Sequence, residues 1–98
     1  VVHARIVRME KPELESIDSV VLYDIFWEAA NRVIACHVEA GRRAASDAER
    51  EQWRARVREI MDLRESVDAD DLERQTQLTE AWNAEFARLS AQLDKLDQ

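Results

Sequence analysis

The residues with the most chemical potential in this chain sit close together. Cys36 and His37 are adjacent, Glu39 follows two residues on, and Cys36 is the chain's single cysteine. A metal or nucleophilic site would need such side chains to converge on one face. Adjacent helical residues point about 100° apart, and the sequence holds no Glu-x-x-His or His-x-x-x-His pair to bring two ligands together. His37 is therefore predicted to be a buried or edge histidine, and Cys36 a small hydrophobe with no neighbouring base to activate it. No metal site, cofactor or catalytic residue is expected. Arg64 stands out because it occupies an apolar seam. Two arrangements are open to it: the stem packs while the guanidinium reaches water, or a carboxylate from another helix pairs with it and sets the register. Arg50, Arg54 and Arg58 form a four-spaced basic stripe interleaved with Glu51, Glu59, Asp62 and Glu65. That pattern reads as a solvated face laced with i,i+4 pairs.

Composition limits what could position these groups. The 98 residues contain one glycine, Gly41, and one proline, Pro12, while charged residues make up 36%. So few turn formers cannot serve a sandwich, a barrel or a doubly wound sheet. The same scarcity excludes a phosphate-binding glycine loop, a dinucleotide fingerprint and a nucleophile elbow. The profile is all-α and the length allows one domain, residues 1–98. The expected architecture is a three-helix antiparallel bundle with a long, very apolar first helix, preceded by an arm over residues 1–11.

Punctuation places the helices at about 13–40, 47–66 and 69–96. Pro12, Glu13 and Glu15 suit the first turn of the first helix, and Gly41 is its expected stop, followed by Arg42 and Arg43. Ser46-Asp47-Ala48-Glu49 has the capping-box spacing for the second helix. In the segment from Val67 to Asp71, Asp68 or Asp70 is the expected N-cap of the third. Trp53, Val57, Ile60, Arg64 and Val67 form one seam, with Met61 beside them. Leu72, Gln75, Thr79, Trp82, Phe86, Leu89, Leu93 and Leu96 form another. Both seams alternate steps of three and four, as bundle helices do. Val1–Met9 alternates loosely and is compatible with a strand or an arm that docks on a partner; a ribbon-helix-helix DNA binder fits poorly, because the first helix reads as unbroken.

That helix is unusual. Around a helical wheel, Leu14, Val21, Leu22, Ile25, Phe26, Ala29, Val33 and Cys36 form one apolar arc, and Val20, Tyr23, Trp27, Ile34 and Val38 a second. Together they cover roughly 240°, against somewhat over 100° for an ordinary surface helix. Asp24, Glu28, Asn31, Arg32 and Glu39 break the ring. Two neighbours are expected to leave part of this surface uncovered, so either the incomplete core is finished by another chain or Trp27 and Tyr23 merely cap the bundle edge; the first is the expectation adopted. Val20, Tyr23, Asp24, Trp27, Glu28, Asn31 and Ile34 are the candidate partner-binding residues.

The formal net charge of −7 is unevenly distributed. Residues 12–40 carry six acids against Arg32, and residues 68–98 carry eight acids against three bases, whereas residues 41–67 hold seven arginines against six acids. An acidic body repels phosphate backbones and suits a basic protein partner, so no nucleic-acid binding is expected. The opening VVHARIVRMEK lacks the apolar core of a secretory leader, and no apolar run approaches about 18 residues, so no membrane span is expected. A lone cysteine fits a reducing compartment, and the expected location is cytoplasmic.

In length, acidity and a long N-terminal helix (about 13–40) ahead of two shorter ones, the chain resembles the small acidic three-helix antitoxins of zeta-type toxins, kinases that phosphorylate UDP-N-acetylglucosamine. The resemblance spans the whole chain without a residue motif. It implies a non-enzymatic inhibitor whose N-terminal helix lies across the toxin's nucleotide pocket, with Asp24 and Glu28 against basic phosphate-binding residues. It also implies no DNA-binding segment for autoregulation. The alternative reading is a homo-oligomeric helical protein, structural or regulatory, in which the first helix packs on its own copy.

Overall fold

The computed structural model describes residues 18–97. These form three helices, α1 (Ser19–Arg42), α2 (Asp47–Ser66) and α3 (Leu72–Leu96), and no strand occurs among the described residues. The arm, its possible strand, Leu14 and the start expected at Pro12–Glu15 lie outside them.

Local chemistry explains each helix end and corrects two expectations. Within the described residues α1 starts at Ser19: Asp18 has extended backbone, and its carboxylate accepts the Val20 amide at 2.9 Å. An aspartate N-cap satisfies a donor that the helix itself leaves open. At the other end, Gly41 does not stop the helix. It is helical and buried, no described residue has positive φ, and Arg43 is the C-cap. Gly41 is small for another reason, since a Cβ there would meet Trp53 Cβ at 3.4 Å. Ser46 caps α2 as its spacing predicts, accepting from the Glu49 amide, but the Glu49 carboxylate returns to the Ala45 amide one residue earlier. α3 is capped by Asp71, which accepts from the Arg74 amide, and not by Asp68 or Asp70. Those two instead form the turn ahead of it, where their carbonyls accept from the amides of Asp71 and Leu72.

α1 lies between the other two helices, which pack along it and make little backbone contact with each other. Residue pairing runs in opposite chain directions between α1 and α2 (Gly41 beside Trp53, Asn31 bonded to Arg64). It runs in the same direction between α1 and α3 (Arg32 to Asn83, Arg43 to Asp97). The body measures 43 × 30 × 15 Å, a thin layer rather than a cylinder. α3, with 25 residues, is no shorter than α1, with 24, so a first helix longer than both others is not a feature of the described residues.

This layered arrangement decides how much of α1 is covered. Neighbours on two sides reach further round a central helix than neighbours on adjacent sides of a triangle. Leu22, Ile25, Phe26, Ala29, Ala30 and Val33 are buried, and Tyr23, Trp27 and Ile34 pack half-buried against the same cluster. Apolar positions from Ile25 round to Trp27 are thereby covered over roughly 200° of the helix. The second apolar arc is covered at Tyr23, Trp27 and Ile34 and open at Val20, 69% exposed, and Val38, 48%; Val21, on the edge of the first arc, is 44% exposed.

The seams of α2 and α3 bury their middles and expose their ends. Ile60, Val67, Leu78, Trp82 and Leu89 are buried, while Leu72 and Leu96 are exposed. Gln75 is fully buried on its seam because its amide nitrogen donates to the carbonyls of Asp68 and Ala69, both at 2.9 Å. One polar core residue thus closes the α2–α3 loop.

Candidate functional site

Three groupings bring chemistry-bearing side chains together, and α1 contributes to each. The first is the open stripe of α1. Asp24, Glu28 and Asn31 are exposed along it, with Val20 and Val21 at its start. Neither Asp24 nor Glu28 makes an ion pair among the described residues. The predicted partner-binding residues therefore divide. Val20, Asp24 and Glu28 face outward, whereas Tyr23, Trp27 and Ile34 are packing residues whose rings and branches rest on the core.

Asn31 is committed elsewhere, because it takes part in the second grouping. Arg64, buried on the α2 seam, donates from Nη1 to Asn31 Oδ1 at 2.5 Å and lies over the Trp27 ring, 4.1 Å from its centroid. No carboxylate pairs with this buried guanidinium among the described residues; the cation rests on an aromatic face and a neutral amide. Arginine suits this, since its flat, weakly hydrated head stacks on indole while its edge donates.

The third grouping joins all three helices through Glu85 of α3. One carboxylate oxygen accepts from His37 Nε2 and from Arg56 Nε, the latter at 3.0 Å, and the other accepts from Arg56 Nη2. A carboxylate only accepts, so the proton of the His37 bond sits on Nε2. Arg56 also reaches Glu59 one turn along α2. The hydrogen bonds from Arg56 hold the Glu85 carboxyl below its ordinary range against the opposing effect of burial, with the His37 bond acting in the same direction as Arg56. Hydrogen bonding to Glu85 likewise raises Arg56. His37 is buried, as its sequence context predicts, but its partner Glu85 lies 48 residues away in the chain and no local spacing signals it.

Cys36 is buried, and its thiol is pushed up by burial and by the charge of Asp94, away from nucleophilic thiolate. No cluster of three or more potential metal ligands occurs among the described residues. No described helix is long and apolar enough to cross a membrane. On α2 the pairs actually formed are Arg50 with Asp47, Arg56 with Glu59 and Arg58 with Glu51, three, three and seven residues apart, in place of the i,i+4 ladder expected from the stripe. Comparison with known proteins finds no family model, no curated protein and no solved structure that matches the chain.

Proposed function

We propose that this chain is a non-enzymatic protein-binding module that neutralises a partner protein. In its sharpest form it is a cytoplasmic antitoxin whose N-terminal helix covers the nucleotide or phosphate site of a basic, kinase-like toxin. The architecture that goes with this reading is an apolar α1 flanked by an antiparallel α2 and a parallel α3. The observation that carries it is the open stripe of α1, where Asp24 and Glu28 stand exposed with no ion-pair partner among the described residues, beside Val20 and Val21. Paired carboxylates on a rigid helix complement a cationic phosphate-binding site, and opposite charge speeds the encounter. An apolar margin adds area that association can remove from water.

Affinity capture from the native host with wild-type protein and with Asp24→Arg/Glu28→Arg tests this. The reading expects a basic phosphate-binding kinase with the wild type and its loss with the charge-reversed variant, whose fold circular dichroism would show intact. Trp27→Glu is a poor probe, because Trp27 lies under Arg64 and its loss would disturb the fold. The homo-oligomer reading has its own observation: Val20 and Val38 lie five helical turns apart on one line of α1, and both are exposed. A stable dimer in solution that Val20→Asp/Val38→Asp converts to monomer would favour that reading and sink the first.

A further inference from the structure

A cavity of about 500 Å³ opens between α1 and α2, toward the C-terminal end of α1. Its apolar lining is Val38 and Gly41 from one helix and Trp53 and Val57 from the other. Arg42, Arg50, Arg54 and Arg58 border the same space. In a chain of net charge −7, four of the fourteen basic residues gather at one opening. The sequence shows only a solvated basic stripe on α2; the fold adds Arg42 from α1 and places an apolar hollow beside it.

The arginines are weakly committed. Arg54 has no ion pair among the described residues, and Arg42 approaches Glu39 only to 3.6 Å. Arg50 and Arg58 pair with the exposed carboxylates of Asp47 and Glu51. Exposed pairs of this kind contribute little to stability, so an incoming anion can replace them at little cost. A second observation comes from the wall. His37 is buried with its Nε2 tied to Glu85, and its Nδ1 has no hydrogen-bond partner; nor does Trp53 Nε1. Both atoms are enclosed in the wall and leave the opening itself to the arginines.

Size selects the occupant. Small-molecule sites run from about 300 to 1,000 Å³ and are mostly apolar with a few placed polar groups. A stable protein interface instead needs about 800 Å² from each partner, far more than this hollow offers. We infer that the α1–α2 cavity is a binding site for a small organic anion with an apolar body, of the alkyl or aryl carboxylate class. The apolar body lies against Trp53 and Val57, and the carboxylate takes the arginines. The site is independent of the partner-binding stripe: Gly41 is about 20 Å along α1 from Glu28.

Titrating the full chain with octanoate, octanol and octylammonium, while following the three tryptophan indole resonances, tests the assignment. Octanoate should move the Trp53 resonance saturably, leave Trp27 and Trp82 nearly still, and bind at least tenfold tighter than octylammonium. Arg54→Gln/Arg58→Gln, both at exposed positions, should weaken octanoate by about tenfold and leave octanol unchanged. Equal binding of the three probes, shifts centred on Trp27 or Trp82, or an unchanged octanoate affinity in the double variant would each overturn it. So would an acidic amphipathic peptide that occupies the site where octanoate does not.

Discussion

From Leu22 to Val33, α1 presents aliphatic and aromatic surface to both neighbours; from Cys36 to Arg43, the same helix presents a histidine, a cysteine, small residues and an arginine. In the first half, Phe26 stacks on Trp82 with ring centroids 5.3 Å apart, and Ala29, Ala30 and Val33 allow Ile60 and Leu78 to close in. In the second half the apolar cluster shrinks to Cys36, Ala40 and Leu89. Ionic contacts take over there: His37 and Arg56 on Glu85, and Arg43 on Glu39 and Asp97. One helix is thus held by buried area at one end and by hydrogen-bonded charge at the other. Buried area does not depend on pH, whereas a paired carboxylate does.

The largest way to break this contrast is at the aromatic end. Trp82, 1% exposed, should cost about 3–5 kcal/mol on truncation to alanine, a large part of the stability of a domain this size. Denaturant titration should find the same loss at about pH 7 and about pH 4, because no titrating group is removed. If Trp82→Ala leaves too little folded protein to measure, Ile60→Val should show a pH-independent loss of about 1 kcal/mol.

At the ionic end, Glu85→Gln keeps the shape and removes the charge. It should cost about 2 kcal/mol near neutral pH, as expected for hydrogen bonds to a partly buried charge. The sign of its pH dependence follows from the lowered carboxyl of Glu85. A group whose folded pKa lies below its unfolded value stabilises the fold fully above the unfolded value, and that stability disappears as pH falls through the folded one. Wild type and Glu85→Gln should therefore differ most above about pH 5 and converge on acidification. Parallel stability curves down to the acid limit would remove the carboxylate from the account.

Arg64 sits where the two regimes meet, a cation held by a ring and an amide. Arg64→Met keeps the volume and removes the cation–π contact and the Asn31 bond, for an expected loss of about 1 kcal/mol. A neutral result would reduce Arg64 to its packed stem. The smallest effect is expected at Gly41. Because the residue is helical, Gly41→Ala should stabilise by about 0.5–1 kcal/mol, less whatever Trp53 must yield to the new methyl group. A loss of about 1 kcal/mol would instead fit a glycine in left-handed conformation and contradict the structure.

Much of the fold is legible in residue types and spacing. Ser46 three residues ahead of Glu49 marks the start of α2, and the three-four spacing of Ile60, Trp82 and Leu89 marks buried seams, because capping and periodicity are properties of a few neighbouring residues. Where several residues compete for one role, the same signals mislead. Asp68, Asp70 and Asp71 all qualify as caps, and the turn closed by Gln75 selects Asp71. Gly41 has the chemistry of a helix stop, yet close approach to Trp53 is what uses its missing side chain.

Sequence by itself determined an acidic, glycine-poor, helical chain whose apolar residues are densest on α1, since propensity, capping and hydrophobic period act within one or two helical turns. Tertiary structure alone decided the rest. It set α1 between two neighbours, so that Tyr23, Trp27 and Ile34 became packing residues and the open stripe narrowed to Val20, Val21, Asp24 and Glu28. It also brought Glu85 to His37 and Arg56, and Arg42 to the arginines of α2. Those encounters join residues far apart in the chain, and the charge, burial and cavity shape that follow from them belong to the packed helices rather than to any single segment.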